Sequence, residues 1–443
     1  MSTNILHLPT YKVRNVNNTE HDYHVYAEIA DPPVTCRHCH SVEIVRYGRR
    51  EQLVRDLRAY GKRVGIYVDT RRYMCKSCDR TFYESLPDTD EKRMMTSRLV
   101  KWIGEQSIKR PFSHIAEEVG INEMTVKNVF RDYINELEKT VRFETPKWLG
   151  IDEIHLIRPR CVISNIQNHT LIEILHNKDK KTLTSYLNRL EGRDSVRCVS
   201  MDMWNPYKDA VQLVLRNSII VIDKFHVVRM ANAALGSARK SLRAGLGDKQ
   251  RRGLTHDRFI LLKRRRDLKS EEHMLVETWT KNYPVLGEAY RLKEEFYNIY
   301  EASSVSDAKA RYETWKMSIT HETYEHFQPI ITAWGNWNNE ILNYFVHPST
   351  NAYTESLNNL IRLMSRLGRG YSFEALRAKL LFTKGAHSRS IPRPKFQRKS
   401  GMVGFSYMPA VDEWGRSIES DEREKNYGAD ISTLIHMIEN GEL

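Results

Sequence analysis

Four acidic residues and one histidine stand where metal-dependent phosphoryl chemistry is possible: Asp152, Asp202, Asp223, Glu355 and His226. Asp202 closes the short apolar run 197–201, and Asp223 follows the β-branched run 218–222. Between them Asn205-Pro206 opens a helix, with proline where a missing N–H costs nothing. Ala210, Val211, Val214 and Leu215 then recur at helical spacing. The window reads as strand, helix, strand. It brings both aspartates to the C-terminal ends of neighbouring parallel strands, where open α/β sheets hold ligands. Hard oxygen donors suit Mg²⁺ or Mn²⁺. Two such ions about 4 Å apart can activate an attacking water or 3′-hydroxyl and stabilise the leaving oxyanion of an in-line displacement.

The elements that must position these groups extend the same sheet. A strand over 148–157 carries Asp152, a hairpin over 162–166 and 170–175 follows, and a helix spans 180–190 with Leu183, Tyr186, Leu187 and Leu190 inward. The order βββαβαβ is that of an RNase H-like fold, in which the first and fourth strands are neighbours. Asp152 and Asp202 therefore converge, and strand order favours Asp202 over Asp223 as the second ligand. Further on, Ser349 or Thr350 can cap a helix that places Asn351, Glu355, Asn358 and Arg362 along one face. The opposite stripe, including Tyr353, Leu357, Ile361 and Met364, is apolar, so this helix packs and its polar face can close over the aspartates. Lys208, Lys224 and Arg362 are candidates for neutralising phosphate charge.

A second metal site is written in the cysteines. Cys36-x-x-Cys39 and Cys75-x-x-Cys78 each form a turn presenting two thiolates, and together they make a tetrahedral Cys₄ zinc ribbon. The intervening 35 residues (40–74) need a small strand-rich excursion, with strands expected over 42–45 and 64–68. That segment is heavily basic, Arg71 and Arg72 included, which fits phosphate contact. Downstream, Ser113 is expected to cap a helix and Gly120 to make the turn into a second helix from Glu123 to about Leu137. This helix-turn-helix exposes Lys127, Asn128 and Arg131 towards a major groove.

The composition agrees with a polyanionic partner: 69 Lys+Arg against 56 Asp+Glu, a net charge of +13. No stretch approaches the roughly 18 consecutive apolar residues of a membrane span. The expected location is the cytoplasm. The chain divides into N-terminal strands and zinc ribbon (1–90), helix-turn-helix (91–144), first part of the core (145–229), a helical segment (230–345), the glutamate helix (346–385), and a basic linker with an acidic tail (386–443). The fold class is multi-domain α+β. In the helical segment Trp279, Trp315, Trp334 and Trp337 read as core, and Lys263–Arg266 as a solvated face or a DNA track.

The cysteine pairs, the helix-turn-helix, Gly150-Ile-Asp152-Glu153, Ser200-Met-Asp202-Met-Trp204-x-Pro206-Tyr207, Val221-Ile-Asp223-Lys-Phe-His226 and Asn351-Ala-Tyr-Thr-Glu355-Ser-x-Asn358 together resemble the ISL3 family of bacterial insertion-sequence transposases. The similarity covers about residues 35–385, in the family's order. It implies a DDE transposase with Asp152, Asp202 and Glu355 as the catalytic triad holding two Mg²⁺ or Mn²⁺ ions. It also implies a structural Zn²⁺ on Cys36, Cys39, Cys75 and Cys78, and a helical insertion at 230–345 interrupting the RNase H-like core. Asp223, His226 and Asn358 would be accessory, with Arg362 joining the DNA contacts. The implied partner is double-stranded DNA, transposon ends and target, bound by a homodimer or larger assembly. One departure, Arg158-Pro-Arg160 where the family has a basic-Gly turn, puts the geometry of the first hairpin in question. The competing readings are a catalytically inactive DNA-binding regulator and a structure-specific nuclease of the same fold.

Overall fold

The computed structural model describes residues 7–141, 145–349 and 351–385. The expected linker and tail (386–443) and the cap at Thr350 lie outside them. The N-terminal part is a mixed sheet: β1 (Tyr11–Asn18), β2 (Asp22–Ile29), β3 (Ile44–Ala59), β4 (Lys62–Cys75), β5 (Thr81–Tyr83), β6 (Thr89–Asp90) and β7 (Met95–Thr96), in order β1-β2-β4-β3-β7-β6 with β5 on β4. β1 and β2 form the antiparallel hairpin that their alternation suggests. The excursion between the cysteine pairs is much larger than the two short strands expected. β3 and β4 are 16 and 14 residues long and pair antiparallel from Ile44↔Cys75 to Ala59↔Lys62. Arginines interrupt the apolar alternation there, which conceals the strand length from a pattern reading.

Three helices follow: α1 (Ser97–Lys109), α2 (Phe112–Val119) and α3 (Glu123–Thr140). Thr96 caps α1 and Asn122 caps α3 through side-chain oxygens. Ser113 does not cap α2. Pro111 occupies that position and the helix starts at Phe112, two residues earlier than a cap at Ser113 would set it, so Ser113 lies inside the first turn. Gly120 turns the chain at φ +74°, and a Cβ there would meet the Arg63 guanidinium of β4 at 2.9 Å. The ribbon and the helices are thus packed together. Buried Asp56 of β3 accepts hydrogen bonds from Thr96 Oγ1 (2.6 Å) and Arg98 Nε (2.8 Å).

The second sheet contains β8 (Trp148–His155), β9 (Pro159–Asn165) and β10 (Thr170–Leu175), then α4 (Lys180–Arg189), β11 (Cys198–Met201), α5 (Asn205–Val214) and β12 (Ile219–Ile222). Its order is β10-β9-β8-β11-β12, with β8, β11 and β12 parallel and β9 antiparallel to its neighbours. This is the RNase H-like order. The β8–β9 register runs unbroken to His155↔Pro159, so the departure at Arg158-Pro-Arg160 leaves the hairpin regular.

After Lys224 the chain is helical: α6 (Lys224–Leu242), α7 (Asp248–His256), α8 (Arg258–Leu262), α9 (Ser270–Asn282), α10 (Pro284–Ile299), α11 (Val305–Met317) and α12 (His321–Leu342), the last broken at Trp337. Residues 227–336 form a compact unit of their own. Its core is aromatic: Tyr312 stacks on Trp334 at 4.1 Å, and Phe296 lies 4.8 Å from Trp315. Trp315 and Trp334 are buried there and Trp337 is buried just outside this unit, as expected of core residues, whereas Trp279 is only half-buried, its indole N–H donating to Asp257 at 2.8 Å. The basic run at 263–266 is largely ion-paired locally, Lys263 to Glu272 and Arg264 to Glu301, both at 2.9 Å.

α13 (Ala352–Leu367) and α14 (Phe373–Lys384) return to the β8–β12 sheet. Leu357, Ile361, Leu376, Leu380 and Leu381 bury against Ile154, Val162, Leu171 and Ile174. α14 is two-sided: its Ala378 and Phe382 complete the core of α1–α3 instead. Lys379, buried on that side, donates to the carbonyls of Ser107 and Arg110 at the end of α1. The rings of Phe112 and Tyr371 lie 4.3 and 4.8 Å from its ammonium. Arg377 binds Glu173 of β10 and reaches Glu138 of α3 at 3.5 Å. One helix therefore joins α1–α3 to the sheet.

Candidate active site

Strand register aligns the three aspartates. Ile151 of β8 pairs with Met201 of β11, which pairs with Ile222 of β12. The next residue in each case is aspartate: Asp152, Asp202 and Asp223. They stand side by side at the carboxyl ends of three parallel strands. His226, in the first turn of α6, faces them, its Nε2 2.8 Å from Asp202 Oδ1 and 3.8 Å from Glu355 Oε1. Donor atoms of Asp152, Asp202 and His226 lie within 4.8 Å of one another, as do those of Asp223, His226 and Glu355. His226 is thus shared between two triads, a position that its label as accessory did not anticipate. The motif spacing Asp-x-x-His was the available signal.

Glu355 is delivered by close packing of α13 on β8. A Cβ on Gly150 would lie 2.5 Å from Ser164 Oγ, 2.6 Å from Asn351 Oδ1 and 2.8 Å from Thr354 Oγ1. Only glycine permits that approach. Ser164 Oγ and Thr354 Oγ1 are 2.7 Å apart, and Thr354 donates to Asn351 Oδ1 (2.5 Å). The polar stripe on α13 is therefore split. Asn351 and Asn358 are buried, Glu355 is exposed, and Asn358 Nδ2 donates to Asp152 Oδ2 at 2.8 Å. Gly150 and Thr354 stand inside the sequence motifs, but their packing role, and Ser164 altogether, escaped the sequence reading because small residues carry no charge or periodic signal.

The electrostatics are those of a crowded anionic site. Burial, reinforced by the charge of Asp202, pushes Asp152 up to about 7 against the opposing Glu153 N–H. Burial likewise raises Asp223 to about 6, opposed by His226. For His226 burial acts downward, but the contact with Asp202 and the surrounding carboxylates outweigh it and raise it to about 9. Asp223 Oδ2 and Asn358 Oδ1 are buried acceptors with no hydrogen-bond donor among the described residues. Unpartnered acceptors beside clustered carboxylates suit a bound cation, so this donor set fits divalent metal. In the ribbon, Cys36 and Cys78 sulfurs are 3.8 Å apart and those of Cys39 and Cys75 3.5 Å. Tetrahedral sulfurs about 2.3 Å from an ion stand about 3.8 Å apart, so the four thiols fit zinc.

Several expected contacts are not brought to a nucleic-acid surface. Arg71 is buried: its guanidinium donates to Ile29 O at 3.1 Å and pairs with Glu28 (3.3 Å) and Glu84 (3.8 Å). Arg72 is half-buried, donating to Thr81 Oγ1 (2.9 Å) beneath the rings of Tyr47 and Tyr83. Both corrections follow from strand pairing, which turns these side chains into the sheet's own packing. Lys127 is exposed but paired with Glu123 at 2.9 Å, whereas Arg131 is exposed and only 3.6 Å from Asp132. Lys208 is held by Glu340, and Arg362 donates to Asn359 at 3.0 Å.

A five-stranded sheet of this order, with carboxylates aligned on its parallel strand ends and reached by a glutamate from a packed helix, defines a polynucleotidyl transferase core. Residues 149–380 match the transposase family DDE_Tnp_ISL3. Residues 32–78 match the zinc-finger of transposase IS204/IS1001/IS1096/IS1165, and residues 84–134 the helix-turn-helix domain of transposase family ISL3. The chain is 22% identical over 345 residues to the transposase for insertion sequence element IS1001 of Bordetella parapertussis, covering 76% of this chain and 83% of that protein. The protein belongs to the ISL3 family of DDE transposases. It is a DNA-binding enzyme with a structural zinc ribbon and divalent-metal catalysis. No described helix is long and apolar enough to cross a membrane.

Proposed function

We propose that this transposase binds the terminal inverted repeats of its insertion sequence through the ribbon and helix-turn-helix, and cleaves and joins DNA strands at Asp152, Asp202 and Glu355. The register that aligns Asp152 with Asp202 carries this reading. Asp152, Asp202 and Glu355 would hold the ions; the donor sets within 4.8 Å are Asp152, Asp202 and His226, and Asp223, His226 and Glu355, so Glu355 lies on the Asp223 side and His226 links it to the other two aspartates. When bound, Mg²⁺ or Mn²⁺ supplies activation of a water or 3′-hydroxyl and stabilisation of the leaving oxygen. The chain's own contribution is positioning. Asn358 fixes one oxygen of Asp152, and the Glu153 N–H holds the other at 2.7 Å. Close contact at Gly150 sets the distance of α13 and hence of Glu355. His226 carries positive charge against Asp202 and limits repulsion among the carboxylates until DNA arrives.

Working on two ends favours a homodimer or larger assembly on DNA, in the cytoplasm with the nucleoid. The test is a purified-protein assay with Mg²⁺ or Mn²⁺ on a plasmid carrying the gene and its flanks, comparing the unaltered protein with Asp202→Ala and Asp223→Ala. Breaks at the flank ends that vanish in Asp202→Ala support the triad. Loss only in Asp223→Ala would exchange the two aspartates. Breaks with no 3′-end joined to target DNA would favour a nuclease, and binding without cleavage in either metal a regulator.

A further inference from the structure

A groove of about 700 Å³ opens where β3 of the ribbon, residues 92–93 and the turn into α3 meet. Four cations line it, Arg55, Lys92, Arg93 and Arg131, against a single carboxylate, Glu117. Arg93 is neutralised by Asp90 and Asp132, and Arg131 lies 3.6 Å from Asp132. Arg55 and Lys92 have no ion-pair partner among the described residues, and the Asn128 amide beside them makes no hydrogen bond there. Placing like charges together without counter-ions works against folding, so the groove is built for an anion. Its wall is also anchored. Successive strand residues point to opposite faces; Asp56 turns inward to anchor Thr96 and Arg98, while its neighbour Arg55 lines the groove. The Arg55 N–H is tied to Met94 O at 3.0 Å.

We propose that the ribbon and the helix-turn-helix grip one DNA duplex jointly: Arg55 and Lys92 clamp the phosphate backbone bordering the base pairs that Asn128 and Arg131 face. This rests on the end-binding reading above and adds to it a shared, two-module interface. The ribbon then acts directly on DNA through β3, rather than only supporting the helices. Phosphate contacts position the protein and carry no sequence information, whereas base contacts specify. The two halves of the groove should separate in experiment.

The test uses the full-length protein and fluorescent duplexes, one with the element's terminal sequence and one scrambled, titrated over a salt series without divalent metal. Arg55→Gln combined with Lys92→Gln should weaken binding to both duplexes alike, about 10-fold at low salt, and reduce the salt slope by about two. Asn128→Ala should instead erode the preference for the terminal sequence. Glu117→Gln, which removes the opposing charge, should tighten binding to both duplexes. It reads the same groove without depending on the arginine variant's folding. Unchanged affinity and slope in both the double variant and Glu117→Gln, while the unaltered protein prefers the ends, would overturn the clamp alone. An unaltered protein with no preference for its ends would overturn the end-binding reading together with it.

Discussion

The ribbon and the carboxylate cluster each gather side chains that fit a metal, by opposite routes. The ribbon's thiols come from two short turns held at the base of one hairpin, with Ile44 paired to Cys75. Four sulfurs of one kind, enough to fill a tetrahedral shell, meet the needs of a structural ion. The cluster is assembled from β8, β11, β12, the start of α6 and α13, a sequence span of more than 200 residues between Asp152 and Asn358. Its groups differ in burial and in charge, and Glu355 remains exposed. A structural site is finished by its own motif. An open catalytic site is finished by tertiary packing and by substrate.

The largest effect should come from Asp202→Asn. Strand cleavage and joining should fall by on the order of 10³-fold or more, with end binding and zinc content unchanged. Loss of end binding in that variant would mean the two sites are not independent. Next, Cys75→Ser should remove zinc and loosen the β3–β4 hairpin, since metal binding energy is folding energy in such sites. Zinc measured by atomic absorption should drop, and end binding should fall towards that of an unrelated duplex. Near-normal specific binding without zinc would show that the helices hold β3 in place unaided.

Legibility followed the same division. The Cys₄ site, the turn at Gly120, the order of the core strands and the aspartates at their ends were all readable, because spacing and β-branched runs encode them locally. The length of β3 and β4 was not, because their alternation is carried by arginines whose inward or outward direction only pairing decides. Arg71 looked like a phosphate ligand and is an internal ion-pair partner of Glu28 and Glu84. The two-sided role of α14 was also hidden: its apolar residues announce burial, not that Leu380 and Phe382 bury in different cores. At the site, His226 was noticed and its shared position was not, since three-dimensional convergence decides that.

Gly150→Ala tests the dependence of the catalytic site on packing. The added methyl meets Ser164, Asn351 and Thr354 at under 3 Å, and overpacking of this kind costs roughly 1–3 kcal/mol. Cleavage should fall about 10-fold or more through displacement of Glu355, while end binding and zinc stay constant. Equal activity would mean that α13 adjusts freely, and that Gly150 does not set the position of Glu355.

The smallest effect is a pH dependence, and its sign distinguishes the two sites further. Asp152 and Asp223 are raised to about 7 and about 6 in the folded protein, from ordinary values near 4. Folding therefore favours their protonated forms. That stabilisation is fully present below about pH 4 and is lost as pH rises through 6 and 7. His226, raised to about 9, adds loss in the same direction from about 6.5 upward. With divalent ions chelated weakly enough to spare zinc, the melting temperature should fall between pH 5 and 8, by about 2–4 °C for each kcal/mol lost. Asp152→Asn cannot ionise and no longer repels Asp202, so its curve should be flatter and should cross above the unaltered protein near pH 8. Excess Mn²⁺ should flatten the unaltered protein's curve too, because the ion binds the deprotonated carboxylates that pH creates. Parallel curves for the two proteins would mean that the carboxylates are not crowded in solution as they are at these strand ends. The cluster would then owe its need for metal to DNA rather than to its own charge.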